Sequence, residues 1–204
     1  MTFDLVAPVY DALAWLVFGR SLIRAQQWGI EQVKSGDRVM ILGGGTGVTL
    51  PDIAARKPAS ILFIEASMAM LATAKRRALP DSVPITFLHG TEANVPDYEL
   101  FDSVVLPFVL DLYPAATLQS QLLPALLRYL RPGGQLIVTD FDQPRTYRQR
   151  TYMWLMIRFF RLTASIAVRT WTNWPALLQQ GGLSERVGRS FRGGQVRSGC
   201  WMNE

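Results

Sequence analysis

The chain has 204 residues, 49% of them hydrophobic, and a formal net charge of +5. That is enough apolar content for one core without disulfide or metal staples, and the single cysteine, Cys200, excludes an intrachain disulfide or a Cys-rich zinc site, so a reducing, cytoplasmic setting is expected. Charge is uneven: residues 1–142 hold 11 Lys+Arg against 14 Asp+Glu, whereas residues 143–204 hold 10 Arg against only Glu185 and Glu204.

The opening MTFDLVAPVYDALAWLVFG carries Asp4 and Asp11 where a secretory signal carries positive charge, so it reads as part of the fold. Tyr10 to Val33 reads as one or two helices, closed by the loop Lys34–Asp37. Strand and helix patterns then alternate. Val39–Leu42 is an apolar β-type run, Thr49–Ala55 is helix-compatible, Ile61–Ile64 is a second strand, and Met68–Ala78 has helical spacing with a basic tail, Lys75-Arg76-Arg77. Phe101–Leu106 and Gln135–Thr139 supply two further buried strands, separated by a helix at Thr117–Leu130. Such alternation predicts a parallel sheet covered on both faces. Gln149–Arg169 is predicted as an amphipathic helix, with Arg150, Trp154, Arg158, Arg161, Ser165 and Arg169 inside an arc of about 100°. Arg158 and Arg161 break the best candidate for a membrane span, Tyr152–Val168. A short helix at Trp174–Gly182 and a hairpin of Ser184–Phe191 with Gln195–Met202 around Gly193-Gly194 complete the chain.

The strongest local signal is VMILGGGTG at Val39–Gly47, a buried strand emptying into a loop with Gly43, Gly45 and Gly47. Glycines let the backbone approach a ligand and leave N–H groups at the next helix start. The dinucleotide fingerprint wants its third glycine one place later, where this chain has Val48. The second signal is Glu65, 18 residues beyond Gly47, which ends the run ILFI and precedes Ala66-Ser67-Met68. A carboxylate there can accept hydrogen bonds from both hydroxyls of a ribose, with the next residues flanking an adenine; it can equally serve as a helix N-terminal acid.

With ILGGGTG, FIEASMAML, FDSVVLPFVLDLYP at Phe101–Pro114 and LRPGGQLIVTDF at Leu130–Phe141 in this order, the chain resembles the class I S-adenosylmethionine-dependent methyltransferases. The resemblance implies an α/β Rossmann-like fold: a mostly parallel seven-stranded sheet with helices on both faces and a C-terminal antiparallel hairpin. It also implies S-adenosylmethionine as cofactor, leaving as S-adenosylhomocysteine. Within one domain, 1–33 would form an N-terminal helical lid, 34–142 the cofactor-binding core, and 143–204 the arginine-rich helix and hairpin. AxxYDxL at Ala7–Leu13 resembles the lid of members that act on quinones and other lipid-like molecules. The cofactor would then be held by Gly43, Gly44, Gly45, Thr46 and Gly47, by Glu65, Ala66, Ser67 and Met68, by Thr91 and Glu92 near the adenine, and by Pro107. Three departures from the family pattern stand out, and the first is Gly90-Thr91-Glu92-Ala93-Asn94-Val95-Pro96 where the family often reads G-D-A before L-P. Ile41 occupies the place of an acid before the first glycine, and Leu106-Pro107-Phe108 replaces the motif of adenine and amino methyltransferases, so nucleic acid is not expected as a partner.

Methyl transfer from a sulfonium needs in-line positioning, and a general base only when the nucleophile must lose a proton. Candidates beyond the strand ends are Asp111 after the fourth strand, Asp140 and Asp142 after the fifth and, from the lid, Tyr10. His89, the one histidine, reads first as a structural imidazole. The arginine-striped helix could cover an anionic acceptor, meet a membrane surface, or present a solvated face. The expected function is methyl transfer to a small or lipid-like acceptor, with a non-catalytic cofactor binder as the alternative.

Overall fold

The computed structural model describes residues 20–77, 83–96, 99–144, 146–147, 149–151 and 172–203. Seven strands form one sheet: β1 (Arg38–Leu42), β2 (Ser60–Glu65), β3 (Ile85–His89), β4 (Phe101–Pro107), β5 (Leu130–Phe141), β6 (Leu183–Phe191) and β7 (Val196–Asn203), in the order β3-β2-β1-β4-β5-β7-β6. Strands β1 to β5 pair in parallel, while β7 runs antiparallel between β5 and β6. The described helices are α1 (Ser21–Ile30), α2 (Leu50–Ala55), α3 (Met68–Lys75), α4 (Leu123–Tyr129) and α5 (Trp174–Gln180).

Strand alternation sorts the central side chains into two cores. Val39 and Ile41 of β1 join Ile61, Phe63, Val105 and Ile137 in one core, where Ile30, Leu50, Ile53 and Leu71 of the first three helices cover that face. Met40 and Leu42 point the other way and join Val104, Leu106, Leu136, Val138 and Trp201, covered by Leu126 of α4 and by Trp174 and Leu178 of α5. Buried on both sides, β1, β4 and β5 read as continuous apolar runs, as a parallel sheet requires.

β3 is a strand that the apolar patterning of the sequence does not mark. Its residues ITFLH are partly or fully exposed throughout, as befits an edge strand, so no apolar run announces it. The helix expected over Thr117–Leu130 is present as one run from Ala115 to Tyr129, α4 being its last part, and it widens to π-helical geometry at Leu118–Leu122; Leu130 is already paired to Phe101. Pro124 has no N–H to continue the helical ladder, and the wider turn lies immediately before it. Between the pairs Phe101↔Leu130 and Ser103↔Gln135, the Arg131-Pro132-Gly133-Gly134 turn leaves the register. The hairpin of β6 and β7 closes through a turn at Arg192–Gly194, with left-handed backbone at all three residues. Tyr10 and the rest of residues 1–19 of the N-terminal lid lie outside the described residues, whereas its remainder, residues 20–33, contains α1; residues 152–169 of the arginine-striped helix also lie outside. At that helix's start, Thr146 and Gln149 exchange side-chain to backbone bonds of 3.1 and 3.3 Å in a cap. Among the described residues no helix is long and apolar enough to cross a membrane.

Candidate functional site

The chain order reverses direction across the sheet at β1, whose neighbours are β2 on one side and β4 on the other. Crevices at the carboxyl ends of strands flanking such a reversal are where open α/β sheets take ligands. The described residues singled out from the sequence for cofactor contact or catalysis lie at the carboxyl ends of β1 to β5 or in the segments that follow them; Asp140, expected beyond the fifth strand, lies within β5.

After β1 the backbone turns sharply, with φ of 70°, 59° and 70° at Gly43, Gly45 and Gly47. The three need glycine for different further reasons. A Cβ on Gly43 would lie 2.6 Å from Val109, and one on Gly47 2.9 Å from Ala74 of α3, whereas at Gly45 nothing lies within 4 Å. Gly45 is thus the loop's open point, where a ligand can rest against bare backbone. Gly44 is packed hardest, its would-be Cβ 2.2 Å from the Phe63 ring. Gly44→Ala is accordingly expected to cost about 1–3 kcal/mol of unfolding free energy by overpacking, measurable by urea denaturation. Thr46 is buried, and Arg77, beyond the end of α3, donates from Nε to its carbonyl at 2.6 Å and from Nη2 to its Oγ1 at 3.3 Å.

Glu65 closes β2, is buried, and ties the glycine loop to the next helix. Its Oε2 accepts from the Gly45 N–H at 2.8 Å and its Oε1 from the Ser67 N–H at 2.8 Å. Burial pushes its carboxyl above the usual range, opposed by the N–H groups of Ser67, Gly45 and Ala66 and by His89. Each carboxylate oxygen has a second lone-pair direction, so the group retains acceptor capacity. Ser67 caps α3, its Oγ accepting from the Met70 N–H at 3.2 Å, while Ala66 is exposed and Met68, at 54% exposure, offers an apolar surface on the rim. His89, paired with Glu65 in the ladder, contacts the Ala66 carbonyl through Nε2 at 3.0 Å, a structural placement.

After β3, Thr91 and Asn94 form a capping box around the turn Glu92–Asn94. Tyr129 of α4 fixes this turn by donating to the Glu92 carbonyl at 2.9 Å or the Val95 carbonyl at 3.1 Å. Glu92 Oε2 is buried without a hydrogen-bond partner, and its charge adds to burial in raising the Tyr113 phenol. An orphaned acceptor at a strand end suits a ligand N–H donor.

After β4, Pro107 is half-buried and Phe108 takes a left-handed φ of 58°, a costly conformation for an aromatic residue. It is held by its N–H to the Thr139 carbonyl at 2.7 Å and by its ring against Phe141, 5.1 Å between centroids. Asp140 is fully buried. Its Oδ2 accepts from the N–H groups of Leu110 at 2.8 Å and Asp111 at 3.3 Å, and its Oδ1 from Phe141 at 2.7 Å, so it braces the segment that follows β4. Asp111 Oδ1 is buried without a partner. Burial pushes Asp111 up to about 7, and burial together with the Asp111 charge raises Asp140.

Arg77, Tyr129 and Phe108 are site-supporting residues that the sequence reading does not single out. Only the basic tail after α3 hinted at Arg77, and nothing local indicated which group it would meet.

The fold has known counterparts. A family model described as a methyltransferase domain matches residues 39–134. The ubiquinone/menaquinone biosynthesis C-methyltransferase UbiE of Syntrophotalea carbinolica is 32% identical over 151 residues, covering 70% of this chain and 60% of that protein. A demethylmenaquinone methyltransferase of Clavibacter sepedonicus is 29% identical, covering 70% and 57%. The chain thus spans less than two thirds of the length of these relatives. Among solved structures, the mitomycin 7-O-methyltransferase MmcR superposes with a TM-score of 0.69 at 20% identity over 100% of this chain and 61% of that one. A DhpI complex with S-adenosylhomocysteine gives 0.66 at 17% over 98% and 93%. With the order of the seven strands and the glycine loop with its acidic partner, these matches make the chain similar to the class I S-adenosylmethionine-dependent methyltransferases, with a methyltransferase domain matched over residues 39–134.

Proposed function

We propose that the protein transfers the methyl group of S-adenosylmethionine to a small, apolar acceptor of the quinol type. One observation carries the reading: the Glu65 carboxylate, at the tip of β2, is joined to the Gly45 N–H, so the ribose acceptor and the open point of the glycine loop form one rigid grip. The available groups fit the cofactor. Glu65 has lone pairs for the ribose hydroxyls, Ala66 and Met68 present an uncharged rim for the adenine, Gly45 has bare backbone, and Glu92 Oε2 is a buried acceptor for an amino group. Gly43, Gly44, Thr46, Gly47 and Ser67 shape this grip from beneath, and Thr91 sets the Glu92 turn. When bound, S-adenosylmethionine supplies an electrophilic methyl on a sulfonium.

The chain's own residues do the rest. Pro107, Phe108 and Phe141 present an apolar, aromatic wall at the carboxyl ends of β4 and β5 that favours a planar acceptor and excludes water. Asp111, with its partnerless oxygen, takes the proton that an acceptor carbon or hydroxyl releases, and Asp140 positions it through the Leu110 and Asp111 N–H groups. Tyr10 of the lid is a second candidate for acceptor contact. The curated relatives named for quinone methylation support the choice of acceptor.

The test is incubation with S-adenosylmethionine and a reduced, demethylated naphthoquinone bearing a short isoprenoid tail. A product heavier by one methylene is expected by mass spectrometry, and cofactor retained on the protein with every acceptor unchanged would favour a non-catalytic binder. For a lipid-like acceptor, the arginine stripe of Gln149–Arg169 would rest on an anionic membrane. Arg158→Ala with Arg161→Ala is then expected to reduce co-sedimentation with anionic liposomes; unchanged sedimentation and turnover would make the stripe a solvated face.

A further inference from the structure

We infer that Arg77 is a positioning residue for the cofactor loop, holding the Thr46–Gly47 peptide in the orientation that leaves Gly45 open. This inference rests on the reading of the glycine loop as the cofactor grip. Thr46 stands between two glycines in left-handed conformation, Gly45 at φ 59° and Gly47 at φ 70°. Such neighbours leave a peptide free to flip, and the freedom is lost on binding unless something outside the loop removes it first. The structure supplies two anchors. On the upstream side the Gly45 N–H is held by Glu65 Oε2 at 2.8 Å. On the downstream side Arg77 donates from Nε to the Thr46 carbonyl at 2.6 Å and from Nη2 to Thr46 Oγ1 at 3.3 Å, while the N–H of the same peptide, that of Gly47, donates to the Gly44 carbonyl at 3.1 Å.

Arg77 can make this clasp because the loop lies directly on α3. The backbone N–H of Arg77 still bonds to the Ala74 carbonyl at 3.1 Å, and a Cβ on Gly47 would come within 2.9 Å of Ala74 Cβ and 3.6 Å of Arg77 Cδ. The planar guanidinium addresses a carbonyl and a hydroxyl at once, which a single ammonium does with less geometric control. Arg77 therefore acts through Thr46.

The experiment is calorimetric titration of wild type, Arg77→Met and Arg77→Lys with both S-adenosylmethionine and S-adenosylhomocysteine, alongside hydrogen exchange at the Gly45–Gly47 amides. Arg77→Met is expected to weaken both ligands by the same factor, about tenfold, and Arg77→Lys by less, with faster exchange confined to the loop. The paired ligands separate positioning from a field effect, because removing a positive charge would by itself favour the cationic sulfonium and leave the neutral thioether alone. Equal affinities for all three proteins, a gain for the sulfonium alone, or a fall in unfolding midpoint without a change in affinity would overturn the role. Should Arg77→Met not fold, Arg77→Lys decides by the same criteria. Failure of wild type to bind S-adenosylhomocysteine would instead overturn the reading of the loop as a cofactor grip, and this inference with it.

Discussion

Glu65→Gln is expected to weaken S-adenosylhomocysteine binding tenfold to a hundredfold, about 1.4–2.8 kcal/mol, and to loosen the glycine loop at the same time. The carboxylate accepts two backbone N–H bonds, from Gly45 and Ser67, both 2.8 Å. An amide has one oxygen. Whichever way it turns, its NH2 faces one of these N–H groups, and the backbone donor so orphaned in a site 6% exposed costs about 1–3 kcal/mol. Part of this is recovered because the substitution also removes a charge that burial disfavours. A ligand effect therefore comes with a smaller fall in the denaturant midpoint, since Glu65 belongs to the buried frame as well as to the rim. Calorimetry and urea unfolding measured on the same preparations check both parts, and unchanged affinity would remove Glu65 from the ribose site.

Asp111→Asn is expected to lower turnover by 10²–10⁴-fold while raising stability above neutral pH. The first part follows from loss of a general base and has that customary size. In wild type, turnover is expected to rise with pH through about 7 as Asp111 loses its proton, and the asparagine variant is expected to lose this limb. The second part follows from linkage. Asp111 is raised from 3.8 to about 7 in the folded protein, so across that window the folded state holds a proton that the unfolded chain has released. Stability contributed by this group is complete below about pH 4 and is lost as pH rises through 7. At about 1.36 kcal/mol per unit the ceiling is about 4 kcal/mol, part of which the neutral amide retains at pH 8. Urea unfolding of both proteins at pH 5 and pH 8 checks the sign, and a variant less stable than wild type at pH 8 with an unaltered pH-rate limb would remove Asp111 from this role.

How much of this was legible in the sequence follows from where each residue finds its partner. β1, β2, β4 and β5 are apolar runs because parallel strands are covered on both faces, so their composition announces them. β3 does not, because Thr86 and His89 belong to an exposed edge. Gly45 and Glu65 could be paired from the strand–loop–strand spacing, but that the carboxylate already holds the Gly45 N–H is a matter of three dimensions. Arg77 meets Thr46 across 31 positions, and Asp140 meets Leu110 across 30, with no periodicity to report either. The π-helical widening of the helix before β5 lies next to Pro124, a local signal that the overall apolar pattern masked. Asp111 could be placed beyond a strand end from the sequence, but its elevation required knowing that folding buries its carboxyl.

The most direct measurement is an experimental structure of the protein with S-adenosylhomocysteine bound. Both ribose hydroxyls are expected within hydrogen-bond distance of Glu65, the amino group of the adenine toward Glu92, and the sulfur facing the space bounded by Phe108 and Asp111. A ligand seated elsewhere, or a Glu65 carboxylate bonded only to the Gly45 and Ser67 N–H groups while the ribose turns away, would contradict this placement.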